Sequence, residues 1–365
     1  MPATIYRATP QSVGELARCV AGSKRVHPHG ARSKPRLADS SREIGVTNVD
    51  VTGLNGIVEY EPSEFVITAL AGTPVSEVEA KLAEHGQFLP FDPMFVSGGS
   101  TIGGAVASGL SGPGRQRFGG VRDFVIGIKF VDPDGCKLSA GGKVVKNAAG
   151  FDFPKLFVGS LGRLGILYEI TFKVFPTPES YLTASFELGH VESAISAARE
   201  ISVLPFDAYA IHISPPGNLM VRLGGAPAAN ETTAERIEAA ISSSSTRLRG
   251  EAEAARWSGA RNCDWAQGSA LIKIPSTPGI LSDLDATLGR LDSKRRYSCA
   301  GNVAFASLDL RNVDALADGL DDLGLTGLVL RGDCDSLRIG AQPSKALEAR
   351  VKQAMDPHDK FLPLP

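Results

Sequence analysis

Apolar residues recur at helical spacing at Val13, Leu16, Ala17 and Val20, directly behind Thr9 and Pro10, a pair suited to a cap and a first turn. A short opening helix is predicted. Residues 65–71 form a nearly unbroken apolar run and read as a buried strand, and Thr73 and Pro74 then start a helix carrying Val75, Val78 and Leu82 that Gly86 stops. After a glycine-dense stretch at residues 98–120 come a strand over 125–131, a turn at Pro133, Asp134 and Gly135, and a strand over 166–174. Pro176, Thr177 and Pro178 can continue neither regular structure, so a domain boundary is placed near residue 178. Beyond it, helical periodicity returns over 191–201, 234–241, 281–291 and 313–323, separated by short apolar strands such as 219–223. That order predicts an antiparallel sheet carrying helices. Ser242 to Ser245 read as a solvated loop, and no long-period repeat is visible. The fold class expected is α+β.

A chain of 365 residues exceeds what one hydrophobic core usually serves and favours two domains. Lys and Arg number 38 against 40 Asp and Glu, a net charge of -2 that offers no basic excess to concentrate a polyanion, so nucleic acid is not an expected partner. Charges and glycines interrupt every apolar stretch before the length a membrane-spanning helix needs. The first residues lack a basic cluster followed by an apolar core, and the protein is expected in the cytoplasm. Cys19, Cys136, Cys263, Cys299 and Cys334 are odd in number and scattered, which indicates neither a disulfide framework nor an iron-sulfur cluster.

The densest chemical signal is Gly98-Gly99-Ser100-Thr101-Ile102-Gly103-Gly104-Ala105, followed by Ser108-Gly109-Leu110-Ser111-Gly112-Pro113-Gly114-Arg115. Where side chains nearly vanish, backbone can approach a ligand, and successive amides in a concave turn make an anion nest of the kind a diphosphate occupies. The bland alternative is a surface loop, but Thr101, Ile102, Ala105 and Val106 are spaced too regularly among the glycines for that. A P-loop is excluded because Gly142-Lys143 is followed by Val144, and a Rossmann turn because the glycines do not sit between a strand and a helix early in a βαβ unit. His27 and His29 form a His-x-His pair, yet His85, His190, His212 and His358 stand singly with no ligand spacing. No metal is expected.

Residues 98–178 resemble the FAD-binding E-subunit family of bacterial glycolate oxidases, within the p-cresol methylhydroxylase and vanillyl-alcohol oxidase type. The likeness rests on Thr101-Ile102-Gly103-Gly104, Ser111 to Arg115, Val121-Arg122-Asp123-Phe124, Lys146 to Asp152, and Gly159-Ser160-Leu161-Gly162. Weaker similarity continues through Leu219 to Leu223, Leu271 to Pro275, Leu330-Arg331-Gly332 and Met355 to His358. The resemblance implies an FAD-binding domain of two α+β subdomains over residues 1–178, a cap domain with an antiparallel sheet over 179–345, and a C-terminal helix and tail over 346–365 returning to the FAD domain. It implies non-covalent FAD whose diphosphate meets a first loop, His29, Gly30, Ala31, Arg32 and Ser33, opposite a second, Ser100, Thr101, Ile102, Gly103 and Gly104, with Ser108, Gly109, Gly112 and Arg115 following. Lys146, Asn147, Gly150 and Asp152 are implied at the isoalloxazine end, and Gly165 and Ile166 against flavin or adenine. The first loop is poorer in glycine than in that family, since Ala31 takes a positive φ only at a cost, and Arg32 either pairs with phosphate or faces solvent. The second loop is therefore expected to be complete and the first eroded.

Implied partners are a catalytic flavoprotein (D-like) subunit and an iron-sulfur subunit, and a peripheral place on the inner membrane is implied only through them. Oxidation of a 2-hydroxy acid also needs a base for the hydroxyl proton and a cation for the carboxylate. The His-rich metal motif of D-like subunits is not present in the sequence; Arg222, Lys273 and Arg331 are conceivable carboxylate partners, each with a structural role as the simpler reading. Three functions stay open: an FAD-bearing oxidoreductase subunit, a non-catalytic interaction subunit that has lost FAD, and a stand-alone 2-hydroxy-acid dehydrogenase.

Overall fold

The computed structural model describes residues 6–41, 43–142 and 152–365. The chain divides into two compact units, one built from Met1–Ser111, Gly120–Pro176 and Ser344–Pro365, the other from Gly112–Gly119 and Thr177–Pro343.

The first unit opens with β1 (Tyr6–Ala8), α1 (Val13–Gly22), β2 (Arg25–His29) and β3 (Val46–Asp50), the strands forming a parallel sheet in the order β1-β3-β2. Helix α1 is the crossover between two parallel strands. Its cap is Ser12 and not Thr9: the Ser12 hydroxyl accepts the Glu15 N–H at 3.2 Å, while the Gln11 N–H donates back to the Glu15 carboxylate at 2.8 Å. This reciprocal pairing sets the helix start. Leu16, Ala17 and Val20 turn inward.

Next come β4 (Ile57–Glu61), β5 (Val66–Leu70), α2 (Val75–Ala83), β6 (Gln87–Phe88) and α3 (Ile102–Ser108). Strand β5 begins at Val66 because Phe65 takes φ 55, outside any strand geometry. A short helix α4 (Arg115–Phe118) belongs to the second unit, after which the first resumes with β7 (Val125–Val131), β8 (Lys137–Gly141), β9 (Ile166–Lys173) and β10 (Phe175–Pro176). A five-stranded sheet runs β4-β5-β9-β7-β8 with every neighbour antiparallel, and β6 pairs with β10. Its central strand β9 is buried on both faces at Ile166, Leu167, Ile170 and Phe172, hence its continuous apolar run.

The second unit contains β11 (Ser180–Glu187), α5 (Val191–Ser202), β12 (Ala210–Ser214), β13 (Asn218–Gly225), α6 (Pro227–Ile241), β14 (Thr246–Arg249) and α7 (Gly250–Asn262). It continues with β15 (Ala270–Pro275), α8 (Leu281–Arg290), β16 (Lys294–Ser298), β17 (Val303–Leu308), α9 (Val313–Asp322), β18 (Thr326–Arg331) and β19 (Arg338–Gly340). One nine-stranded sheet runs β14-β11-β13-β12-β16-β17-β15-β18-β19. Read from its middle outwards, it is two βαββαβ motifs with the same strand order, β14-β11-β13-β12 and β18-β15-β17-β16, laid edge to edge. The seam is the pairing His212↔Ser298 and Ile213↔Tyr297. The fold therefore contains a repeat that the sequence does not display, because each copy needs only apolar alternation on one sheet face, which many different residues satisfy. Leu182, Phe186, Ile211, Val221, Ile272, Tyr297 and Ala306 lie in one continuous core together with Ala194, Leu284 and Leu316 from the helices.

Helix α10 (Lys345–Met355) and the tail after it complete the first unit. Phe361 is fully buried and bridges Val26 in parallel, with the Val26 N–H donating to the Lys360 carbonyl at 2.7 Å. Asp356, also fully buried, accepts the Lys360 and Phe361 N–H groups at 2.9 and 2.8 Å and pairs with the Lys352 ammonium.

Candidate cofactor site

A groove opens in the first unit, with about 720 Å³ of space between its walls and the open solvent at its mouth. Three backbone segments line it: the end of β2 with the loop Gly30 to Lys34, the first turns of α3, and Ser160 to Leu167 leading into β9. Glycine lets these segments meet. A Cβ on Gly30 would stand 2.4 Å from Thr101 Oγ1, and one on Gly162 (φ 69) 2.4 Å from Pro28 Cγ. Neither position tolerates a side chain without parting the segments.

The two loops divide the work differently from the sequence expectation. In the first loop the left-handed residue is Arg32 (φ 57) and not Ala31, so alanine costs the turn nothing. Among the described residues, the N–H groups of Gly30, Ala31, Arg32, Ser33 and Lys34 have no acceptor, in a loop whose residues all line the groove. In the second loop the amides are engaged internally. Gly98 and Ser100 donate to the Phe95 carbonyl at 3.2 Å, Gly99 to Val96 at 2.9 Å, Ile102 to Thr73 at 2.9 Å and Gly103 to Ala71 at 2.8 Å. Gly104 donates to Thr101 Oγ1 at 3.2 Å, and the Thr101 N–H is the donor left without an acceptor among the described residues. The glycine-poor loop thus holds the available amides, and the glycine-rich one provides close packing.

Side chains add charge without counter-charge. Among the described residues, His29, Arg32 and Lys34 are the ionisable ones lining the groove, and no carboxylate lines it. The Arg32 guanidinium donates to His29 Nε2 at 2.8 Å, which fixes the proton on Nδ1, and Nδ1 donates to the Gly30 carbonyl at 2.9 Å. Burial, more than the nearby Arg32 charge, lowers the pKa of His29 and keeps it neutral. Lys34 is only 8% exposed. Its ammonium donates to Ser33 Oγ at 3.0 Å and Ser100 Oγ at 2.9 Å, and burial pushes its pKa down to about 8. Ser160 Oγ is buried at the groove wall with no hydrogen-bond partner.

Of the expected cofactor residues, His29, Gly30, Ala31, Arg32, Ser33, Thr101, Gly103, Gly104, Ser108, Gly165 and Ile166 line the groove. Ser100 stands behind it, accepting from Lys34, and Ile102 is fully buried. Gly109 (φ 63) ends α3, where a Cβ would meet Gly159 Cα at 3.2 Å. Gly112 and Arg115 belong to the second unit and do not line the groove. Asp152 is exposed and pairs with Lys155, whereas Lys146, Asn147 and Gly150 lie outside the described residues. Lys34 and Ser160 were not foreseen as site residues: Ser33-Lys34 has no pattern in sequence, and Ser160 becomes distinctive only once it is buried unpartnered.

The second unit sorts the candidate carboxylate partners. Arg222 makes a bidentate pair with buried Glu253, at 2.7 and 3.1 Å, and Arg331 donates to the Ala266 and Gly268 carbonyls at 2.6 and 3.0 Å. Both are structural. Lys273 has no hydrogen-bond or ion-pair partner among the described residues, and burial lowers its pKa to about 8.

A parallel β1-β3-β2 layer, an antiparallel five-stranded sheet and a donor-lined groove between loops of both define a dinucleotide-cofactor domain outside the Rossmann class. Residues 3–141 match the family model described as FAD binding domain. The glycolate oxidase subunit GlcE of Escherichia coli is 43% identical over 176 residues, 48% of this chain and 49% of that protein. The cytochrome-type D-lactate dehydrogenase 1 of Saccharomyces cerevisiae mitochondria is 30% identical over 149 residues, 41% of this chain and 25% of that one. The matched region spans about half, or less, of these curated relatives. A solved alkyldihydroxyacetonephosphate synthase has the same fold, with a TM-score of 0.71 at 16% identity over 98% of this chain and 76% of that one. Residues 3–141 thus form an FAD-binding domain, similar over about half of the chain to that of GlcE, and its cofactor is FAD. The groove fits that group: unengaged amides, two cations facing no carboxylate and the orphaned Ser160 hydroxyl are what a dianionic diphosphate completes.

Proposed function

We propose that this protein is the FAD-bearing subunit of a glycolate oxidase-like complex that oxidises a 2-hydroxy acid to a 2-oxo acid, passing electrons to a D-like flavoprotein and an iron-sulfur subunit. The observation carrying this reading is the groove of the first unit, whose free amides, Arg32 and Lys34 suit a diphosphate, in a chain 43% identical over 176 residues to a glycolate oxidase subunit. Bound FAD supplies a two-electron acceptor. The chain's own residues hold it: the first loop presents N–H donors, neutral His29 keeps the Gly30 carbonyl and Arg32 in place, and the start of α3 packs directly against Gly30. The diphosphate is held by the first loop, with Thr101, Gly104 and Ser160 opposite. Work in the cytoplasm, with the inner membrane reached only through partner subunits, belongs to the same reading. No helix among the described residues is long and apolar enough to cross a membrane.

Purified protein tests this. A flavin absorption spectrum is expected, with no bleaching by glycolate or D-lactate until the D-like and iron-sulfur subunits are added. Bleaching of the isolated chain would make it a stand-alone dehydrogenase, and a colourless protein that takes up no added FAD would make it an interaction subunit.

A further inference from the structure

We infer that Lys34 is a diphosphate-binding residue: its buried ammonium, tied to Ser33 of the first loop and Ser100 of the second, provides the fixed positive charge that neutralises the FAD diphosphate. This deepens the FAD reading above and rests on it.

A buried cation ordinarily has an anion beside it, because removing an ammonium from water is otherwise unfavourable by several kcal/mol. Lys34 has two hydroxyls and the Phe95 ring, 5.7 Å from Nζ, and no carboxylate partner among the described residues. An ammonium has three N–H donors, so one remains after Ser33 and Ser100 are served. The lowered pKa is the mark of burial without a counter-ion. The missing anion has a place, since Lys34 lines the groove along which the unengaged amides of residues 30–34 run. Arg32 carries the other groove charge, but it is exposed and turned onto His29, so it is not fixed by burial as Lys34 is. The anion recognised is a diphosphate ester such as the bridge of FAD or the diphosphate of ADP.

The test is equilibrium binding of FAD and of ADP to the full-length, deflavinated protein, with thermal melting of the apoprotein alongside, for wild type, Lys34→Met and Lys34→Gln. Both variants remove the charge, and glutamine retains donors for the serine hydroxyls. Expected is a loss of affinity of about ten- to a hundredfold for both ligands in both variants, with a shallower salt dependence. The apoproteins should melt no lower than wild type, because an unpaired buried charge has been removed. Unchanged ADP affinity in Lys34→Met, or full affinity restored by Lys34→Gln, overturns the inference and leaves Lys34 a strut between loops. A lower apoprotein melting temperature with unchanged affinity says the same. If wild type binds neither ligand, the FAD reading itself fails, and this inference with it.

Discussion

At the level of single residues, the neighbouring glycines of α3 have unlike tasks. A Cβ on Gly103 would lie 2.8 Å from Ala71 Cβ and 2.9 Å from its carbonyl, against the sheet, whereas on Gly104 the nearest contact is Thr101 Oγ1 at 3.0 Å, on the groove side. Gly103→Val is therefore expected to destabilise the fold by about 1–3 kcal/mol through overpacking, seen in denaturant unfolding. Gly104→Val should leave stability nearly unchanged and weaken FAD, seen by flavin-fluorescence titration; equal destabilisation by both would contradict this division. In the second unit Arg222→Met, which strands buried Glu253, should lower the melting temperature, while Lys273→Met, which removes a cation with no partner among the described residues, should not. The glycine-dense stretch was legible because missing side chains are visible in any sequence. Which amides stay free was not, since Ile102 and Gly103 are satisfied by Thr73 and Ala71, partners set by tertiary packing. Lys34 and Ser160 escaped for the same reason.

Among the elements, those with a clean apolar stripe were legible. Helices α5, α8 and α9 start where periodicity puts them, at Val191, Leu281 and Val313, because each buries one face in a single core. Helix α7 was missed: only Glu253 and Trp257 are buried in it, held by polar contacts, the Trp257 indole to Thr183 Oγ1 at 2.8 Å and Glu253 to Arg222, which leave no hydrophobic period. The resemblance implied that the C-terminal helix and tail return to the FAD domain, but not which residues clasp it. Lys352 donates to the Arg163 and Phe361 carbonyls, both at 3.0 Å, and Asp356 anchors the turn that brings Phe361 onto β2. Asp356→Ala leaves a buried ammonium and two unbonded amides, and should cost about 3–5 kcal/mol in denaturant unfolding. Because β2 leads into the first loop, FAD affinity should fall too. A stable variant with wild-type FAD binding would show that the clasp does not support the groove.

For the whole molecule, each unit contains a buried histidine whose pKa falls to about 3. His27 and His212 are buried with no partner on either ring nitrogen, and burial lowers both pKa values from 6.5 to about 3. Between those values the unfolded chain binds protons that the folded one does not, so stability falls as pH drops below 6.5 and is insensitive to these rings above it. From pH 7 to pH 5 the loss should be about 2 kcal/mol per histidine, and His212→Phe should flatten the dependence of the transition on pH; an unchanged profile would refute the assignment. At this scale the two compact units meet in sequence between Pro176 and Thr177, inside the proline-rich segment, and the paired βαββαβ motifs were not legible, since strand order depends on long-range pairing. The division is also interleaved, with the first unit closed by residues 344–365 after the second has been passed through. During synthesis this sets a schedule. The nine-stranded sheet has all its strands before α10 has left the ribosome, while the flank of β2 waits for Phe361. A nascent chain halted between residues 344 and 356 would thus carry a finished second unit and an FAD seat still ajar, so that taking up cofactor reports that the clasp on β2 has been made.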